Sequence, residues 1–213
     1  MIEVGTRGPG HVPPHVTNWM GPGGHIVTYY VRGGALVNVV AVRETPNWVE
    51  ESWSVEAATS ELVAAFPTVH RSLRALLKRA GDCFKWGLFD RDPLSTWTMQ
   101  RITLLGDAAH PMLPFLGQGA AMAIEDAYVL ARELAHARDD ISAALRAYEA
   151  ERLPRASQAQ LAARTQADFL HSTSSVTAFT GLRRDGTGIS NSERPSTYDT
   201  EWLYAYDPTS QHG

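Results

Sequence analysis

Asp107 closes an apolar run, Arg101-Ile102-Thr103-Leu104-Leu105-Gly106, and is followed by Gly117, Gly119 and an apolar-periodic segment. A carboxylate at the end of a strand lies where α/β proteins hold ligands, in the crevice beyond the strand's tip. There it accepts hydrogen bonds from ligand hydroxyls, as an acidic residue does for a ribose. Gly117 and Gly119 permit backbone to approach a flat ligand closely. A helix opening just after them aims N–H groups and the positive end of its dipole at the same place. Together these residues suit a flat ligand that carries hydroxyls and develops negative charge on a ring. The same residues also admit a plainer reading, a strand–loop–helix whose glycines only turn the chain.

The elements that must position these groups are read from pattern. Residues 101–105 read as a short buried strand. Residues 119–137 read as a helix with Ala120, Ile124, Ala127, Ala131 and Leu134 as its apolar stripe. A second long helix is predicted from near Ile141 to about Leu170, kinked at Pro154. Upstream, residues 1–24 are rich in Gly and Pro and read as irregular chain. Residues 25–32 alternate, with His25, Val27, Tyr29 and Val31 on one face. Gly33-Gly34 supplies a tight hairpin turn, and residues 35–43 form the return strand, interrupted by Asn38. Residues 54–66 and 69–80 read as helices stopped by Pro67 and Gly81. Residues 84–89 read as a short strand, and 172–200 as loop. The fold class is therefore α+β, a small, mostly antiparallel sheet with helices, then a strand–loop–helix and a long C-terminal helix.

Composition narrows the partners. Apolar residues make up 44% of the 213, and the formal net charge is −4, values of a globular protein without a basic face for nucleic acid. Cys83 is the single cysteine, so no disulfide forms within the chain, which fits a reducing cytoplasmic setting. No apolar run is long enough for a membrane span, and no apolar signal region is present. His11 and His15 have the spacing of metal ligands but lack a nearby Cys or acidic partner. They read as surface loop, and no metal is expected. Trp48, Trp53, Trp86 and Trp97 read as packing or pocket walls.

The string Gly106-Asp107-Ala108-Ala109-His110-Pro111, then Pro114, Gly117-Gln118-Gly119 and Glu125-Asp126, resembles the second flavin fingerprint of the class A flavoprotein monooxygenases. The flanks agree: His25-Ile26-Val27-Thr28-Tyr29-Tyr30, Phe89-Asp90-Arg91-Asp92-Pro93-Leu94, and Tyr148-Glu149-Ala150-Glu151-Arg152-Leu153-Pro154-Arg155. These are similar to the salicylate, 3-hydroxybenzoate and 6-hydroxynicotinate hydroxylase branch. The resemblance implies FAD as cofactor, NADH or NADPH as reductant, and oxygen insertion into a small phenolic aromatic acid. It implies a partial glutathione-reductase-like FAD fold. Residues 1–24 would be an irregular segment, 25–100 the substrate-domain sheet and helices, 101–170 the FAD-contacting part, and 171–213 a loop-rich tail.

The resemblance also assigns roles. Gly106 and Asp107 belong to the cofactor site, with Asp107 on the ribityl hydroxyls. Pro114 would sit beside the isoalloxazine. Gly117, Gln118, Gly119, Ala120 and Ala121 would line the pyrimidine side of the ring, and Ala121 stands where the family carries asparagine. The strand at 25–31 would face the aromatic substrate. His25 and Tyr29 share that face, roughly 13 Å apart at about 3.3 Å per residue. A histidine is suited to take a phenolic proton, so His25 is the expected base or substrate anchor and Tyr29 a polar pocket wall. His25 also admits the plainer role of a strand-start histidine. His110 is expected to structure its loop. Glu125 and Asp126, pointing about 100° apart on a helix, are expected to serve the helix dipole.

The dinucleotide fingerprint Gly-x-Gly-x-x-Gly is not found. Gly8-Pro9-Gly10 and Gly21-Pro22-Gly23 both fail at the sixth position, and neither follows a predicted strand. The chain is thus read as a C-terminal portion, with a missing N-terminal half or a second copy of itself as protein partner. Two alternatives stay open. One is a non-catalytic remnant or split chain that needs a partner to bind FAD. The other is epoxidation or halogenation on the same fold.

Overall fold

A computed structural model describes residues 1–3, 15–46, 52, 54–81, 83–137, 139–171 and 200–210. The chain divides into two compact units, residues 1–88 with 168–181, and residues 89–167 with 182–213. Within the described residues all strand pairing is antiparallel and is interspersed with helices, so the fold is α+β.

The first unit is built on a four-stranded sheet in the order β1-β4-β3-β2. Its strands are β1 (Ile2–Glu3), β2 (Thr17–Gly21), β3 (Gly24–Val31) and β4 (Leu36–Arg43). The central hairpin pairs Val31 with Leu36, so its turn occupies Arg32 to Ala35. Arg32, Gly33 and Gly34 all take positive φ there, a longer turn than Gly33-Gly34 alone suggests. The expectation of irregular chain over 1–24 is overturned: β1 and β2 lie within it and form both edges of the sheet. β2 and β3 meet at Pro22-Gly23, where proline presets φ and Gly23, at φ +70, takes the left-handed position of a tight turn.

Strand alternation gives the sheet two faces. Ile26 and Val37 turn to a core shared with Leu73, Leu76 and Leu77. These leucines belong to α2 (Arg71–Leu77), which with α1 (Thr59–Ala65) covers that face. His25, Val27 and Tyr29 occupy the opposite face with their cross-strand neighbours Val42, Val40 and Asn38. The helix expected from Ser54 starts later. Residues Val55–Ala57 form β5, paired with β6 (Cys83–Lys85), because an available strand partner outweighs a weak local helix signal. The strand expected over 84–89 is thus short and begins one residue earlier.

In the second unit, β7 (Thr98–Met99) and β8 (Ile102–Thr103) form a small hairpin. This corrects the buried strand expected at 101–105: Ile102 is 65% exposed and Leu105 41%. The boundary between the units falls after Leu88, not after residue 100. α3 (Gly119–Ala137) and α4 (Ile141–His171) follow. α4 runs on through Pro154 and ends in the first unit at residues 168–171. α5 (Glu201–Tyr204) is the regular element among residues 200–210 of the tail. Residues 172–199, read as loop, and His11, Trp48 and Trp53 lie outside the described residues.

α3 buries Met122, Asp126 and Val129. Ala120, Ile124, Ala127, Ala131 and Leu134, the expected inward stripe, are instead exposed on the surface of this unit. The inward face is set partly by polar bonding: Asp126 is held inward by Arg152 of α4, His110 and the Gly106 N–H. Among the described residues no helix is long and apolar enough to cross a membrane.

Leu77 has no exposed surface and sits under the sheet. Leu77→Ala is expected to destabilise this unit by about 2–5 kcal/mol, as for other buried leucines. Denaturant unfolding of wild type and variant measures this, and a loss under about 1 kcal/mol would show the α2–sheet contact to be loose.

Candidate functional site

The segment 104–119 follows an irregular path across the second unit, so its backbone groups need partners from elsewhere. Side chains supply them. Tyr148 Oη donates to the Leu104 carbonyl at 3.1 Å. The Gly106 N–H donates to Asp126 Oδ2 at 3.1 Å. Arg91 donates to the Ala108 carbonyl, and Gln160 Nε2 donates to the Pro111 carbonyl at 2.9 Å. Gly106 takes φ +59, and a Cβ there would stand 3.4 Å from the Ala123 methyl of α3. Glycine thus serves both the dihedral and the close approach.

Asp126 is the centre of this bracing and has no exposed surface. Its Oδ2 also lies 2.6 Å from His110 Nε2, and its Oδ1 accepts from Arg152 Nε at 2.8 Å. Arg152 is equally buried. Its Nη1 stands 2.7 Å from Glu125 Oε2, an ion-pair contact rather than an aligned hydrogen bond. Burial opposes ionisation of Asp126. The hydrogen bonds from His110, Arg152 and the Gly106 N–H outweigh it and hold the carboxyl below its usual range. Burial likewise opposes charge on Arg152, and the bond to Asp126 and the nearby Glu125 charge keep it protonated. The dipole role expected for Glu125 and Asp126 is therefore corrected: both are partners of α4 arginines. Arg155 grips Glu125 through two bonds of 2.8 Å and also donates to the Trp202 and Leu203 carbonyls at 3.1 and 2.9 Å. His110 structures its loop as Asp126's partner.

The motif around Asp90 has a similar purpose. Asp90 and Asp92 accept from Arg164 of α4 at 2.5 and 2.7 Å, while Arg91 between them turns to the Ala108 carbonyl.

On this frame the other candidate residues come together. A short 3-10 turn, Pro114–Leu116, is closed by Gly117 in the left-handed region at φ +65. The Gln118 carbonyl accepts from the Met122 N–H at 2.9 Å and so opens α3. The N–H groups of Gly119, Ala120 and Ala121 form the helix's first turn, which has no intrahelical acceptor. Asp107 is exposed within the turn 106–108, not at a strand's tip, and its Oδ1 lies 4.0 Å from where a Cβ of Gly119 would stand. Met112 Cγ is equally near that point, and a Cβ on Gly117 would meet nothing within 4 Å. An open, glycine-lined ledge thus has a carboxylate on one side and helix N–H groups on the other. Pro114, Gly117 and Ala120 are exposed along it, and Gln118, Gly119 and Ala121 are half-buried.

His25 and Tyr29 lie in the first unit. Tyr29 Oη accepts from Asn38 Nδ2 at 2.7 Å, which gives the polar interruption of β4 a partner. His25 is 3% exposed. Burial first, and the neighbouring His171 second, depress its pKa to about 4, so the ring is neutral at physiological pH. The sequence alone assigns no site role to Arg152, Gln160, His171 or Glu44. Arg152 stood within a quoted motif, but nothing local marked its partner on α3.

Comparison with known proteins gives the family. The FAD binding domain family matches residues 33–163, more than half of the chain, and the chain belongs to that family. It is 42% identical over 158 residues to a 3-amino-4-hydroxybenzoate 2-monooxygenase of Streptomyces platensis, covering 74% of this chain and 40% of that protein. It is 40% identical over 155 residues to a 3-hydroxybenzoate 6-hydroxylase of Aquipseudomonas alcaligenes, covering 73% of this chain and 39% of that protein. The structure of a salicylate hydroxylase substrate complex superposes with a TM-score of 0.73 at 28% identity, covering 91% of this chain and 47% of that one. The chain thus spans less than half the length of these relatives.

Arg152→Ala leaves Asp126 as a buried charge without its arginine partner. The expected cost is about 3–5 kcal/mol, read from denaturant unfolding at neutral pH. A carboxyl with a depressed folded pKa contributes stability above its ordinary range and loses it as pH falls below. Wild type and variant should therefore converge in stability at acid pH. A constant difference across that range would show that the pair does not act through charge.

Proposed function

We propose that this chain is the isoalloxazine-side half of an FAD- and NAD(P)H-dependent monooxygenase that hydroxylates a phenolic aromatic acid. The single observation that carries the reading is the ledge at 106–121, with the Asp107 carboxylate beside the open, glycine-lined start of α3. The donor set fits the cofactor. Asp107 would accept from the ribityl hydroxyls. The backbone from Gly117 to Ala121 would meet the pyrimidine edge of the ring, where helix N–H groups favour negative charge. Pro114 would lie beside the ring, and Gly106 holds the turn in place. Bound FAD supplies reduction by NAD(P)H and the activation of oxygen.

This chain's own part in the chemistry is to position and to move a proton. A phenol attacks an electrophilic oxygen more readily as phenolate. His25, neutral at physiological pH, would be the residue that takes that proton, and Tyr29 would line the pocket with its hydroxyl fixed by Asn38. The names of the relatives support a hydroxylated benzoate-like substrate class. The pyrophosphate and adenosine of FAD would be held by protein outside these 213 residues, completing a glutathione-reductase-like fold.

A second reading, in which the chain needs a partner to bind FAD, is favoured by the exposed apolar face of α3. Ile124 is 70% exposed, Tyr128 43% and Leu134 39% on that helix. A patch of that kind marks a surface that other protein covers.

Titration of the purified chain with FAD, followed by absorbance and flavin fluorescence, tests both. The expected complex is weak, and Asp107→Ala weakens it roughly tenfold further, the worth of a hydrogen bond to a charged group. Unchanged affinity in Asp107→Ala would remove the ledge from the account. A stoichiometric yellow protein that oxidises NADH would remove the need for a partner.

A further inference from the structure

The tail at residues 200–210 is pinned to the rest of the second unit at several points. Arg155 of α4 donates through Nη1 to the Trp202 carbonyl at 3.1 Å and through Nη2 to the Leu203 carbonyl at 2.9 Å. Both carbonyls lie in α5, a helix too short to supply donors for its own last turn. The same guanidinium stands 4.1 Å from the centroid of the Tyr206 ring. Tyr206 Oη donates to Glu151 Oε1 at 2.6 Å. Arg132 Nη1, on α3, donates to the Pro208 carbonyl at 2.9 Å. Ordering a stretch of tail costs conformational entropy, which this set of bonds offsets.

The latch seats one apolar side chain. Leu203 is buried in a cluster with Met122 of α3 and Ala159 of α4, and Met112, Leu116 and Trp202 pack against that cluster. Met112 and Leu116 precede the glycines of the ledge, and Met122 follows them. Met112 Cγ lies 4.0 Å from where a Cβ of Gly119 would stand, so the cluster reaches the ledge itself. Leu203 therefore helps join the Pro114–Leu116 turn to the start of α3. The bonds of Asp126 do not extend this far: on the loop they end at Gly106 and His110.

We propose that Leu203, latched by Arg155 and Tyr206, is a positioning residue for the flavin. It fixes the helix N–H side of the ledge, as Asp126 fixes the loop on the carboxylate side. The proposal rests on the reading of residues 106–121 as the flavin site. Leu203 does not touch the ligand and acts through the backbone from Gly117 to Ala121. N–H groups that stabilise a developing negative charge work best when they are held in place before the charge forms. A tail pinned at its carbonyls and at one ring, with a leucine inserted under α3 and the 3-10 turn, supplies that hold.

Amide hydrogen exchange on the full chain without flavin reads the hold. Gly117 donates to the Pro114 carbonyl at 3.0 Å and Met122 to the Gln118 carbonyl at 2.9 Å, so these two amides report the N–H side. Leu203→Ala should speed their exchange roughly tenfold, while Gly106 and His110 keep their rates. Leu203→Met, which keeps apolar volume, should restore wild-type exchange. Tyr206→Ala, at a half-buried position, loosens the latch without opening the core and should speed the same two amides. It decides the question if Leu203→Ala does not fold. Gly117 and Met122 unmoved in Tyr206→Ala, or Gly106 and His110 accelerated equally, would overturn the proposal. Titration with FAD gives the second reading: Leu203→Ala should bind about tenfold more weakly than wild type, and Leu203→Met as wild type does. Equal affinity in Leu203→Ala would reduce the residue to a purely structural one. The exchange needs no flavin, so its failure stands apart from failure of the flavin reading, which Asp107→Ala reports.

Discussion

A buried carboxylate between a histidine and an arginine organises the second unit. Asp126 has no exposed surface, and its bonds reach the Gly106 N–H, His110 and Arg152. An isolated charge in such a place would be prohibitive, so the three partners must be present together. Their presence ties the loop at 106–110 to α3 and α4 at one point. It also explains why α3 turns a charged residue inward and leaves an alanine- and isoleucine-bearing face outward.

The ledge depends on that anchor. Around it, Tyr148, Arg91 and Gln160 take up the carbonyls of Leu104, Ala108 and Pro111. A loop whose polar groups are satisfied by side chains keeps its shape without regular structure. It thus holds Asp107 and the glycine-lined helix start in fixed relation while leaving both open. The first unit shows the same economy: the turn at Gly23 holds the end of α4 and the start of the Glu44 segment together, and so holds two histidines and a glutamate in line.

Local signals carried part of this into the sequence. The extent of α3 and the start of α4 were legible because apolar periodicity, Gly119 and Ile141 mark them. The β3–β4 hairpin was legible from alternation and Gly33-Gly34. The fingerprint brought Gly106, Asp107, Gly117 and Gly119 to notice, and Asp107 does lie beside Gly119. Other features depend on partners far along the chain. Asp126 and Arg152 are 26 residues apart, and His25 and His171 are 146 apart. No window of pattern contains either pair. Dense Gly and Pro hid a hairpin at Pro22-Gly23. The α3 stripe misled because periodicity finds an apolar face without saying whether this chain buries it.

Amide hydrogen exchange in Asp126→Asn tests the anchoring most directly, since the amide side chain keeps the size of the carboxylate and removes its charge. Gly106, Ala109 and His110, whose N–H groups are bonded within or to this loop, should lose protection, while the β3 and β4 amides of the first unit keep theirs. Unaltered protection at Gly106 and His110 would contradict the claim that a buried charge holds the ledge.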